Sequence, residues 1–241
     1  MALPPHMTTP TTRSARTRAS THAWIQSGAR FTDTAGQPVH AHGAGVLPPW
    51  SHPEGGRGKV YLVGTAQKRN VSGFWLSEAI NLYSSFDLEH WTFEGRILAN
   101  TSISVGLPAT EPPVYRLERP KLIYNRATRR YVLYFHLDIT LTLNLTLTLT
   151  LTRYVLYFHL DSARFLLGMV GVCTASSVAG PYTFVRGYRP DGLRSLDLTL
   201  YQEADGHAFL VRSVDNLRIG ISRLTSDYLN TTAQARGVGL G

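Results

Sequence analysis

At 241 residues the chain is long enough for one large or two small domains with a sizeable core, and its 21 glycines and 13 prolines punctuate aromatic and β-branched runs in a way that favours an all-β domain. The net charge of +8 is scattered, with no run of Lys and Arg, so nucleic acid is not expected as a partner. No apolar stretch reaches membrane-spanning length, and the single cysteine, Cys173, permits no intrachain disulfide and points to no cysteine-based metal site.

Residues 1–29 are rich in Ser, Thr and Arg and free of acidic side chains. They lack the apolar centre of a secretory signal and are read as a disordered or targeting-like segment, with the compartment left open. Asn70, Asn100, Asn144 and Asn230 stand in Asn-x-Ser/Thr sites, which matter only in a secreted protein.

From residue 30 to 230 a unit of strands recurs. The first unit reads "VHAHGAGVL" (39–47), "KVYLVGT" (59–65), "INLYSS" (80–85) and "HWTFEG" (90–95). The second reads "ERPKLIYN" (118–125), "RYVLYFH" (130–136 or 153–159), "VGVCTASS" (170–177) and "GPYTFV" (180–185). The third reads "SLDLTLYQ" (195–202), "GHAFLVRS" (206–213), "LRIGIS" (217–222) and "DYLN" (227–230), leaving 231–241 as a disordered tail. Turn-forming residues separate the pieces, as in "FDLEH", "SVAG", "LTSD" and Asp205-Gly206. Four antiparallel strands per unit, repeated radially, predict β-propeller blades, of which about three are present.

The second unit carries an anomaly. "RYVLYFHLD" occurs at 130–138 and again at 153–161, with "ITLTLNLTLTLTLT" between the copies. One continuous strand through all of it would run about 100 Å at about 3.3 Å per residue, more than a domain's width. Removing 139–161 or 130–152 leaves the same seamless blade, so the sequence does not say which copy sits in the sheet. Residues 139–161 are therefore read as a translated simple repeat with a duplication.

In a propeller the first strand of each blade lines the central axis. Those strands begin with His40 and His42, with Glu118 and with Asp197, which would bring an imidazole and two carboxylates toward one mouth. Paired carboxylates at such a mouth suit glycoside hydrolysis, in which one acid assists the leaving oxygen. Alternatives stand beside each residue. Glu118 before Arg119-Pro120 fits a loop ion pair, and His42 fits a packed core histidine. Asp197 in an alternating apolar strand is harder to dismiss, because a buried unpaired carboxylate is costly. Trp50 and Trp75 fit sugar-stacking platforms, whereas Trp91 fits blade core.

The strings "DTAGQPVHAHGAGVL", "VYLVGTAQ", "LYSSFDLEHWTFEG", "ERPKLIYN", "YVLYFHLD", "GVCTASSVAGPYTF", "RSLDLTLYQEADGHAFLV" and "ISRLTSDYL", in this order from about residue 30 to 230, resemble the five-bladed propellers of glycoside hydrolase family 43. The resemblance is to the exo-β-1,3-galactanase-like branch. It implies an inverting hydrolase that removes galactose from a β-1,3-galactan-like polysaccharide or oligosaccharide without a metal or other cofactor. By position, Glu118 matches a substrate-holding glutamate, with Arg119 and His42 as further substrate-binding candidates, and Asp197 matches the aspartate that tunes and orients the acid. Most of the family places an aspartate base where "HAHGAG" stands here; the galactanase-like branch shares this departure, so the base stays open. The family's general acid, a glutamate, belongs to a fourth blade, and the expectation is a truncated form lacking it. A non-catalytic carbohydrate-binding remnant, or an arabinan or xylan specificity, is the alternative. The family is usually secreted.

Overall fold

The computed structural model describes residues 27–56, 58–69, 75–106, 114–140 and 167–239. Residues 1–26, the second strand copy at 153–161 and most of the 139–161 insertion lie outside them, as do Asn70 and Asn144. The described residues form three four-stranded antiparallel sheets, each a simple meander. Sheet one contains β1 (His42–Leu47), β2 (Val60–Arg69), β3 (Trp75–Ser85) and β4 (Thr92–Ala99). Sheet two contains β5 (Val114–Asn125), β6 (Arg130–Thr140), β7 (Met169–Ala175) and β8 (Thr183–Tyr188). Sheet three contains β9 (Leu198–Gln202), β10 (Ala208–Val214), β11 (Arg218–Leu224) and β12 (Thr231–Gly239).

Sheet two is the middle layer, and β6 shows why its sequence is apolar almost without interruption. Tyr131, Leu133, Phe135 and Leu137 pack against Val63, Ile80 and Leu82 of sheet one. The alternate residues Val132 and Tyr134 pack against Leu198, Ala208 and Leu210 of sheet three. A strand covered on both faces loses the period-two pattern that β10 keeps, where Ala208, Leu210, Arg212 and Val214 are buried and the residues between them half-exposed. Fully burying one leucine such as Leu133 contributes about 2 kcal/mol relative to leaving it in water. The structure seats the first copy, 130–138, in this slot, and Ile139 and Thr140 extend it to pair with Tyr115 and Val114.

One expectation is corrected. Residues 227–230 are a turn, and 231–239 form the edge strand β12 paired with β11, not a tail. Asp227 explains the turn: its Oδ1 accepts from the Leu229 amide at 3.0 Å and from Thr225 Oγ1 at 2.6 Å. These bonds give the backbone an alternative to the ladder, and Tyr228 adopts a left-handed φ of 62°. The "FDLEH" turn uses the same chemistry, with Asp87 Oδ1 accepting from the amides of Glu89 and His90 at 2.9 and 2.8 Å.

The first strands of the sheets are neighbours. β5 packs against β1 on one side and β9 on the other, so the three lie innermost around one axis, as in the blades of a propeller.

Candidate functional site

The site is organised by a bulge in β5. Glu118 faces His136 on β6, but Lys121 faces Tyr134, so β5 holds one extra residue between them. Pro120, which has no N–H to give the ladder, fits such a place, and Arg119 takes a left-handed φ of 54°. As a result Leu117 and Leu122, of opposite parity, both point into the core shared with sheet one, and Ile123 turns to the core shared with sheet three.

The "HGAG" of β1 lies directly against this bulge. A Cβ on Gly43 would come 3.0 Å from Arg119 Cδ and 3.2 Å from Arg119 Cα, and one on Gly45 would come 2.7 Å from the Pro120 carbonyl oxygen. Lys121 ties the two strands together. Its Nζ donates toward the carbonyls of Gly43 at 3.0 Å, Ala44 at 3.2 Å, Pro120 at 3.2 Å and Arg119 at 3.3 Å. Burial and the nearby Arg119 guanidinium bring the Lys121 pKa down to about 8, against the pull of the Asp197 carboxylate.

Arg119 reaches across to sheet three, where its Nε donates to Asp197 Oδ1 at 2.8 Å. Asp197 precedes β9 instead of lying within it, and its side chain is 69% exposed. It is therefore neither buried nor unpaired, which corrects the argument from desolvation cost. Glu118 is largely buried and pairs with Arg116 Nη2 at 2.5 Å, so the ion-pair alternative is real but involves a strand neighbour. His42 is exposed and not a core histidine; its Nδ1 lies 3.1 Å from Gln67 Nε2.

Among the described residues, neither Trp50 nor Trp91 stands at this junction. Trp91 is blade core, with its Nε1 donating to the Leu88 carbonyl at 3.0 Å. Trp50 is 78% exposed but stands at the far end of β5, where its carbonyl accepts from Arg126. The Trp75 side chain lies outside the described residues. A cavity of about 700 Å³ opens elsewhere, between Ser102–Val105 and the edge strand β8, and none of His42, Glu118, Arg119 or Asp197 lines it.

Sequence reasoning missed the polar residues beneath the site. Arg116 and Glu118 on β5 lie opposite Asp138 and His136 on β6. The imidazole of His136 is buried, and its Nδ1–H donates to the Ser195 carbonyl at 2.9 Å, two residues before Asp197. Burial lowers the His136 pKa, opposed by the carboxylates of Glu118 and Asp138 and the Ser195 carbonyl. Buried Asp138 accepts from the amides of Ile139 at 2.8 Å and Leu167 at 3.2 Å. The available signal was His136 and Asp138 at i and i+2 in an otherwise apolar run, matched by Arg116 and Glu118 at the same spacing on the preceding strand.

An exo-β-1,3-galactanase from Phanerochaete chrysosporium, solved with galactose, is similar to this chain at 30% identity and a TM-score of 0.66, over 89% of this chain and 42% of that one. A family 43 β-1,3-galactosidase solved with galactodeoxynojirimycin is similar at 25% identity and a TM-score of 0.67, over 89% of this chain and 66% of that one. An endo-arabinase from Bacteroides thetaiotaomicron, at 16% identity and a TM-score of 0.50, shares the fold. The chain thus spans about two fifths of the length of the fungal galactanase. No family model and no curated protein sequence matches it. Glu118 and Arg119 on β5 and Asp197 just before β9 come to one junction, and with a chain that superimposes over most of its length on such enzymes they lead to one assignment: the chain has the galactanase-like β-propeller fold of glycoside hydrolase family 43.

Proposed function

We propose that this chain supplies the sugar-holding part of a glycoside hydrolase site directed at β-1,3-linked galactan. The observation that carries the reading is the Arg119–Asp197 contact at 2.8 Å, which joins the innermost strands of two sheets at an open polar surface. Glu118 and Asp197 accept hydrogen bonds from sugar hydroxyls, Arg119 donates to them, and His42 contributes from β1. Asp197 further orients and tunes the general acid. None of these four side chains is the general acid in this reading. Support for the substrate class comes from the fungal enzyme solved with galactose and from its variant solved with β-1,3-galactotriose.

Isothermal titration of the 241-residue chain with galactose and β-1,3-galactotriose tests this. Binding of both sugars is expected. Absence of binding would overturn the sugar site.

A further inference from the structure

Ser195 is fully buried, and both of its backbone groups are spent on sheet two. Its N–H donates to the Gly168 carbonyl at 2.8 Å, and its carbonyl accepts from His136 Nδ1 at 2.9 Å. Gly168 is itself held by Asp138, whose Oδ2 lies 3.5 Å from the Gly168 amide while Oδ1 accepts from Leu167. The bonds thus close a ring: His136 to Ser195, Ser195 to Gly168, Gly168 to Asp138, and back along β6 through Leu137. Two residues beyond Ser195 the chain presents Asp197, and across the β5–β6 ladder from His136 stands Glu118. Two residues of extended chain span at most about 7 Å, so the anchor at Ser195 fixes the position of Asp197 closely.

We propose that His136 is the positioning residue of the site, docking the segment that carries Asp197 onto the strand pair that carries Glu118. It touches no sugar; it acts through the Ser195 carbonyl. That Asp197 and Glu118 hold a sugar rests on the function proposed above, whereas the docking itself does not. A leucine at 136 keeps most of the volume but leaves the Ser195 carbonyl buried without its donor. An asparagine keeps an N–H at the Nδ position and restores that bond.

The test compares wild type, His136→Leu and His136→Asn by amide hydrogen exchange and by titration with β-1,3-galactotriose. The informative amide is that of Ser213, which donates to the Asp197 carbonyl at 2.8 Å. In His136→Leu, Ser213 is expected to exchange at least about tenfold faster, relative to the amides of Leu210 and Arg212, which face β11, and His136→Asn is expected to restore wild-type protection. Galactotriose affinity should fall about tenfold in the first variant and recover in the second. Equal behaviour of the two variants, or acceleration spread evenly over β10, would overturn the docking role. If wild type binds no sugar, the sugar site fails, while the Ser213 exchange pattern still decides the role of His136.

Discussion

Arg119 of sheet two and Asp197 of sheet three meet at 2.8 Å although 78 residues separate them in the chain. Both side chains are substantially exposed, 40% and 69%, so the pair is screened by water and adds little to folding. A double-mutant cycle on Arg119→Ala and Asp197→Ala, read by urea denaturation, should give a coupling below about 1 kcal/mol. The same substitutions should each weaken galactotriose binding about tenfold or more, because each removes a charged hydrogen-bonding partner worth about 1.5–3 kcal/mol. A site residue and a stability residue are separated by that contrast.

Gly43 is a different case. It holds a left-handed φ of 61° with Arg119 pressed against it. Gly43→Ala should destabilise the protein by about 2 kcal/mol through strain alone, with more from the contact. Thermal unfolding measures the loss, and galactotriose binding should weaken with it because the bulge carrying Arg119 must shift.

Arg212 lies buried in sheet three, where it serves structure. Its Nη1 donates to Ser222 Oγ at 2.6 Å, and its Nη2 donates to Asp191 Oδ2 at 2.8 Å and to the Pro190 carbonyl at 3.0 Å. Arg212→Leu leaves Asp191 largely buried without its cation, and the expected cost by urea denaturation is about 3–5 kcal/mol, with no specific effect on sugar affinity in the folded fraction.

The duplicated segment gives a direct test of which strand matters. Because 130–138 fills the slot in sheet two, deletion of 139–161 joins Asp138 to Ser162 and should leave the far-ultraviolet circular dichroism and the unfolding midpoint nearly unchanged. Solubility should rise, since an alternating Leu/Thr segment is prone to strand pairing between molecules. Loss of cooperative unfolding in the deletion variant would show that the insertion supports the fold.

The turn between β3 and β4 carries a pH signature. Hydrogen bonding to Asp87, at 2.9 Å from His90 Nδ1, raises the His90 pKa above its ordinary 6.5, and the bonds from His90 and Glu89 hold Asp87 below its ordinary 3.8. The raised imidazole contributes stability that is complete below pH 6.5 and lost as pH rises through its folded value. The depressed carboxylate contributes above pH 3.8 and loses it as pH falls through its own lower folded value. The turn should therefore be tightest between those limits. An NMR titration should place His90 above 6.5 in wild type, and Asp87→Asn should return it toward that value.

Much of this architecture was readable because period-two patterning and turn chemistry agree along most of the chain. The strands of sheets one and two fall within a few residues of their observed bounds. The last strand of sheet three was displaced because "DYLN" looks like a short strand, whereas Asp227 and Thr225 spend their oxygens on closing a turn. Glu118 and Arg119 were readable as polar residues on an inner strand, and Asp197 as one at the start of the next. Their pairing was not, because it depends on a bulge that tilts Arg119 out of alternation, and Pro120 was the one local clue. His136 and Asp138 were concealed by the apolar run around them, which reads as pure core until the register sets them opposite Glu118 and Arg116.

The extra residue in β5 makes the strand's two halves run out of phase. Upstream, odd-numbered side chains such as Leu117 face sheet one; downstream, even-numbered ones such as Leu122 do. Loss of a single residue between 118 and 121 would erase the bulge and restore an even ladder, with Leu122 still opposite Leu133 and Ile123 opposite Val132, so both cores would keep their side chains. The extra residue is thus dispensable to the packing on either face, and what it adds is the left-handed turn at Arg119 from which that side chain reaches Asp197.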